Sequence, residues 1–489
     1  MKEIRSSKIL MILLVCIVIG LVLPYLVMHF SGKLVLLTGA LGLFALLLLL
    51  RKGWINVYDW LILFFIAIPF HDFRIMFGTF YLRLTELFFM PFFVWASVQI
   101  FRSRIERKNL WRLNREYVIL LFFYAFSLMS IAFSGNPFIS TYRTAVLLYL
   151  ILMSFMVSKI LKEQDKIKLI VKAMIAISAV ASVYAIMQSF LPALHPFMPV
   201  RLTSLGFMTI YRSGLGWQNP NYFALYISMI LPITYICKIS KVFPEKRFLN
   251  ICFVLQAMGL FSSYSRLGFI SIAITFLFLL WIRGKRNMAI ILFIILIVLS
   301  VVAFLSMEYI YVNNPYLAAT IFRIPNLGEV LKNPLLIAGW RRDAWIANIN
   351  MFLAHPFFGV GPFMSTAMYA EYRPHDQVYP LQEGLAAHNE YLSLLSERGV
   401  FGTALFLVFL FFLATRAMVF YKNNKSSAEG KLMLGLWASV INFIFFSFGG
   451  ATIYSVQFWI NVGIILALYN ATKNKIKDND LSDGALDGK

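Results

Sequence analysis

Apolar runs of bilayer-spanning length, one after another and parted by short basic bursts, fill most of this chain. An α-helix needs about 20 such residues to cross the hydrocarbon core. There every backbone N–H and C=O must be satisfied internally, so a chain built this way folds as a helix bundle. The 489 residues are 60% hydrophobic and only 13% charged, which excludes an ordinary soluble domain. The alternating short segments of a transmembrane β-barrel are absent. About fourteen spans are predicted, at 8–30, 33–50, 56–70, 84–101, 116–133, 143–159, 168–190, 221–238, 248–264, 267–282, 288–306, 400–420, 431–448 and 452–471. The third is short and fits a tilted or incomplete crossing. The first is long for a signal-peptide core, lacks a small-residue cleavage site, and reads as a membrane helix.

The net charge of +22 raises the question of nucleic acid. The positive residues fall between apolar runs and not in a patch of their own, so nucleic acid is rejected. Cys16, Cys237 and Cys252 all lie in apolar runs, which argues against a disulfide framework. With the N-terminus in the cytoplasm, 31 of the 44 basic residues fall on that side, mostly as lysine. Both termini of a multi-pass protein of the cytoplasmic membrane are then inside. The opposite side carries Lys33 and Lys332 and otherwise arginine alone, including Arg83, Arg143, Arg212, Arg266, Arg341 and Arg342. Arginine at an interface can simply cover apolar surface. It also offers a planar fork that grips phosphate or carboxylate, and as a set these residues favour an anionic ligand.

Four parts are expected: a transmembrane bundle over 1–306, a large external loop over 307–399, further spans over 400–471 and a cytoplasmic tail over 472–489. The loop is too long for a mere connector. Within it, Gly339 to Leu353 reads as an amphipathic helix on the membrane surface, with Trp345, Ile346, Ile349, Met351 and Phe352 apolar, ended by the Pro356 to Gly361 turn. The tail, with Asp478, Asp480 and Asp483 spaced faintly like a calcium loop but no closing glutamate, reads as disordered.

Four external clusters could carry chemistry. They are Arg212 with Asn219-Pro220-Asn221, the tight Ser263 to Gly268 turn, Arg341 and Arg342 with Trp345, and the stretch from His388 to Gly402. Read as a helix, that last stretch puts His388, Tyr391, Leu392, Leu395, Gly399 and Gly402 on one face, with the glycines admitting a neighbouring helix. Arg266 lies between two apolar runs, where a charge needs a partner or a task. Asn219 and Asn221 could bind substrate or cap the next helix, and His388 could itself be a cap. No metal-ligand spacing, external Asp-x-Asp pair or phosphate-cradling loop is present. An external enzyme of this kind must use a pre-activated donor delivered through the membrane.

Ser265-Arg266-x-Gly268, Asn219-Pro220-Asn221, Gly339 to Trp345 leading to Pro356-x-x-Gly359-x-Gly361, and His388-Asn389 followed by Glu397-x-Gly399-x-x-Gly402 span about 215–402. In type and order these motifs resemble the O-antigen ligase and polymerase superfamily of bacterial surface-polysaccharide enzymes. Leu267 stands where that family usually has Gly or Ala, and about twelve spans are usual there. The resemblance implies an all-α, GT-C-like bundle and a metal-independent glycosyltransferase without cofactor. Its donor would be a glycan on undecaprenyl diphosphate, in a membrane shared with a flippase and a chain-length regulator. Arg212 and Arg266 would hold the diphosphate, and His388 would take the acceptor's proton. Arg341, Arg342, Asn219, Asn221 and Asn389 would line the substrate. Polymerisation of repeat units is the first expectation, and ligase-type transfer of a finished glycan the second. A lipid-glycan flippase is the alternative of another class, although the two related halves of a transporter are not seen.

Overall fold

The computed structural model describes residues 57–77, 80–105, 113–195, 200–204, 209–313, 341–375 and 384–486. The expected spans at 8–30 and 33–50, with Cys16, lie outside these residues. α1 (Val57–Ala67) runs through a 3-10 turn into the hairpin β1 (Arg74–Phe77) and β2 (Phe80–Arg83). Next come α2 (Leu84–Ile105), α3 (Arg115–Ile131), α4 (Pro137–Ile160) and α5 (Gln164–Gln188). A second hairpin, β3 (Val200–Ser204) and β4 (Thr209–Arg212), leads to α6 (Pro220–Ile239), α7 (Lys246–Ser262), α8 (Arg266–Ile282) and α9 (Arg286–Asn313). α10 (Arg341–Ala354) and the single turn α11 (Tyr369–Tyr372) belong to the large loop. α12 (Glu390–Asn423), α13 (Ala428–Phe446) and α14 (Val456–Leu486) follow.

The protein is all-α and multi-pass. Among the described residues six helices, α3 to α6 with α12 and α13, are long and apolar enough to cross a membrane. A helix also lies over every other expected span in these residues. The two antiparallel hairpins are additions that the hydropathy pattern does not announce. The last helix continues to Leu486, where a disordered tail is expected.

α6 is apolar on every side, and Phe223, Leu225, Ile227, Ile230, Ile233 and Ile236 are all buried. It packs against α13, while α14 lies along α4. The reverse holds for α9, whose Ile290, Phe293, Ile294, Val298 and Leu299 point outward, as a helix facing lipid tails requires. Inside the bundle, polar groups are spent on one another. Asn442 accepts from Ser228 Oγ (2.8 Å) and donates to Ser271 Oγ (3.2 Å) and Thr275 Oγ1 (3.4 Å), joining α6, α8 and α13. α5 and α7 approach closely: a β-carbon at Gly259 would stand 2.5 Å from the Ser182 side chain.

α12 is broken. Gly399 has φ 63° and ψ −170° within it. The Pro356 to Gly361 turn fits into the break, so that Val400 N–H donates to Pro356 O (2.8 Å), Val360 N–H to Ser396 O (2.8 Å) and Gly361 N–H to Glu397 O (3.1 Å). The expectation that Gly399 admits a neighbouring helix is corrected: it admits this turn. A β-carbon there would lie 2.2 Å from Phe357 O, and one at Gly359 would lie 2.3 Å from Glu397 C. Glu397 and Arg398 form a buried ion pair at the break (3.1 Å). Ser365 Oγ donates to Glu397 (2.7 Å), and Arg398 Nε donates to Ser127 Oγ (3.1 Å). Left-handed backbone at a non-glycine costs about 1–3 kcal/mol even without overlap. Gly399→Ala therefore lowers the thermal unfolding midpoint of the detergent-solubilised protein, whereas Gly284→Ala, with nothing within 4 Å of its β-carbon, changes it less.

Candidate active site

The site is built from loop ends on one side of the bundle. Arg212 closes β4. Its Nε donates to Ser263 O (3.0 Å) and its terminal nitrogen to Asn221 Oδ1 (3.3 Å). Ser213 N–H donates to Ser262 O (2.9 Å), stitching the same strand end to the turn between α7 and α8. Ser265 caps α8, its hydroxyl accepting from Gly268 N–H (3.2 Å) and donating to Asn221 Oδ1 (2.9 Å). Asn221 thus aligns Arg212 with the turn that presents Arg266. Asn219 caps α6 by accepting from Asn221 N–H (2.9 Å), the reading its position also allows from sequence. Leu267 is accommodated by Gly449, where a β-carbon would stand 2.8 Å from the leucine side chain.

Arg266 is the first residue of α8 and is exposed. Its charge acts on Arg341, the first residue of α10, whose guanidinium is held below its usual range by burial and then by Arg266. Arg341 in turn acts on His388. Burial first, and this arginine second, lower the imidazole to about 4. Both effects disfavour the charged form, so His388 is neutral at physiological pH. Trp345 Nε1 donates to Ala387 O (2.8 Å) and ties α10 to the peptide beside the histidine.

His388 is not on the helix face expected for it. Asn389 caps α12 by accepting from Tyr391 N–H (3.1 Å) and Leu392 N–H (3.2 Å), so the helix begins at Glu390. His388 precedes it in a left-handed conformation, φ 46°. The expected continuous face from His388 to Gly402 is thus interrupted at both ends of its first half. A helix, α10, lies over the segment read as amphipathic. α10 buries Arg342, Asp343, Ala344, Ala347, Asn348 and Met351 against its surroundings, while Ile349 and Leu353 remain exposed. Arg342 is buried and donates to Asp343 (3.0 Å).

The structure therefore links Arg212, Arg266, Arg341 and His388 through Asn221 and Trp345, and uses Asn219 and Asn389 as caps. Among the described residues no three His, Cys, Asp or Glu side chains gather as a metal-ion ligand set. Sequence reasoning passed over Tyr222, one residue beyond Asn221, and Glu390, two beyond His388. Proximity to flagged residues is the signal that points to them.

Fold and site define a multi-pass α-helical membrane protein with a cationic cluster beside a neutral histidine. Residues 251–407 match the O-antigen ligase family model. This match covers about a third of the chain and supports its likeness to the O-antigen ligase and polymerase superfamily of glycan-transferring membrane enzymes. It takes in Arg266, Arg341 and His388 and begins beyond Arg212. No curated protein matches the chain significantly.

Arg341→Gln removes a positive charge that opposes protonation of His388. The imidazole then titrates at higher pH. Acylation by diethyl pyrocarbonate, which needs the neutral ring, follows the His388 contribution (wild type minus His388→Ala). Its half-reactivity point rises in Arg341→Gln from near the wild-type value of about 4.

Proposed function

We propose that this protein polymerises oligosaccharide repeat units carried on undecaprenyl diphosphate into a surface polysaccharide, at the outer face of the cytoplasmic membrane. The observation that carries the reading is the Arg266, Arg341 and His388 sequence of mutual electrostatic influence. Positive charges gathered beside a partly dehydrated imidazole favour an anionic ligand such as a diphosphate.

In the reaction, the acceptor hydroxyl oxygen attacks the anomeric carbon of the donor sugar. Its proton passes to the His388 imidazole. The bond between the anomeric carbon and the phosphate oxygen breaks, and the electron pair leaves with the lipid diphosphate. Arg212, Arg266 and Arg341 stabilise the growing charge on that oxygen, and the proton on His388 later returns to solvent. Attack from the side opposite the leaving group inverts the anomeric centre. An imidazole at about 4 is a weak base in the empty site. The donor's negative charge offsets Arg341 and raises its basicity toward working pH, so the base strengthens when the donor is present.

The second reading, transfer of a finished glycan to a terminal acceptor, is favoured by the description of the matched family as O-antigen ligase. The chain-length profile of the surface polysaccharide separates the two: loss of the protein leaves single repeat units for a polymerase, and full-length chains on their lipid carrier for a ligase.

In membranes supplied with lipid-linked repeat units, His388→Ala lowers transfer by roughly 10²–10⁴-fold, the usual contribution of a general base. Arg266→Ala lowers it by about 10²–10³-fold, as loss of one charge-stabilising donor does. Unchanged polymer length and yield in both variants rejects the assignment.

A further inference from the structure

A second cluster adjoins the arginine site, assembled from segments far apart in the chain. Asp72, Glu390, Arg143 and Arg83 all act electrostatically on the Tyr222 hydroxyl. Tyr222 is the residue after Asn221 and keeps 37% of its surface accessible.

The two carboxylates are already committed. Asp72 accepts from Gln218 N–H (3.2 Å), and Glu390 accepts from Ile453 N–H (3.0 Å) and from Thr452 N–H. The two arginines are committed only in part. Arg83 donates one N–H to His71 Nε2 (2.7 Å), which makes that nitrogen an acceptor and leaves Nδ1–H to donate to Thr85 Oγ1 (2.8 Å). Its Nε is buried and meets no hydrogen-bond partner among the described residues. Arg143 lies over the Phe363 ring, 3.6 Å from the centroid, with the Tyr454 ring at 5.9 Å. Among the described residues no hydrogen bond or ion pair engages its guanidinium. Phe363 holds its ring there from a backbone φ of 65°, an uncommon conformation for a non-glycine residue.

A guanidinium whose face is covered by a ring and whose rim of N–H groups is unspent is an anion receptor with a planar fork. The diphosphate is already provided for by Arg212, Arg266 and Arg341. Aromatic faces beside the fork suit the C–H surface of a pyranose.

We propose that Arg143, stacked on Phe363 beside Tyr454, forms a subsite for a carboxylate-bearing sugar of the glycan. The assignment rests on the lipid-linked glycan reading above and narrows its substrate to acidic repeat units. Arg143 forks the carboxylate, the Tyr454 ring beside it meets the sugar, and Arg83 adds a second positive charge felt at Tyr222.

The test uses the full chain in nanodiscs and reads equilibrium binding of trigalacturonate, with maltotriose as the neutral trimer. No transfer is involved, so the result stands apart from the fate of the proposed reaction. The wild type binds trigalacturonate at least tenfold more tightly than maltotriose. Arg143→Gln loses at least tenfold of that preference, with maltotriose binding unchanged. Arg143→Lys, which keeps the charge and loses the fork, falls between. Phe363→Leu, which removes the ring beneath the guanidinium and leaves the arginine in place, weakens trigalacturonate and serves if Arg143→Gln fails to fold. Equal binding of the two trimers by the wild type, no binding of trigalacturonate, or an undiminished preference in the folded Arg143 variants overturns the proposal.

Discussion

The break in α12 and the turn that fills it hold the outer part of the molecule to the bundle. A helix interrupted near the membrane exposes carbonyls and N–H groups that lipid cannot satisfy. Here the Pro356 to Gly361 turn supplies the missing partners from outside the helix, and Ser396, Glu397 and Val400 return the favour. Both glycines at the contact have positive φ and admit no side chain, so the two segments meet backbone to backbone. The buried Glu397 and Arg398 pair then bonds outward to Ser365 and inward to Ser127. The first half of α12 is thereby aimed independently of its membrane half, and the chain leading into it carries His388.

On that frame the site is a matter of charge placed before any ligand arrives. Arg212 is oriented by a carbonyl and by Asn221. Arg266 and Arg341 are the opening residues of two helices, one in the bundle and one in the large loop. Holding such groups near one another costs free energy that the packing of α6, α8 and α13 around Asn442 helps to supply. Fixed donors of this kind need no reorganisation as charge develops on a leaving oxygen, which is where electrostatic stabilisation is most effective.

Much of the architecture was legible because it depends on runs of one residue type. The apolar stretches from 56–70 to 452–471 each coincide with a helix, including α6, whose all-round apolarity fits its central place. Arg266 and His388 also stand out in the sequence, since a charge between two spans and an imidazole at a loop end are conspicuous in a linear pattern. What escaped depends on contacts between distant segments. Periodicity drew His388 and Gly399 into one helical face, but a cap at Asn389 and a foreign turn at Gly399 decided otherwise. The side of α10 that packs inward, its small and polar one, is set by contacts with the rest of the fold and not by its apolar pattern. Leu267 looked like a departure from the family pattern, and only its fit against Gly449 shows how the fold absorbs it. The meeting of Arg143 with Phe363, residues 220 positions apart in the chain, leaves no local trace.

The contact between Gly259 and Ser182 reaches further than its size suggests. Gly259 sits one turn before Ser262 and Ser263, whose carbonyls receive Ser213 and Arg212. A single methyl group there would wedge α7 away from α5 and drag those two carbonyls with it. Spacing between two helices of the bundle is thus a ruler for the polar groups at their ends, and an uncharged alteration there would shift Arg212 and the turn that presents Arg266.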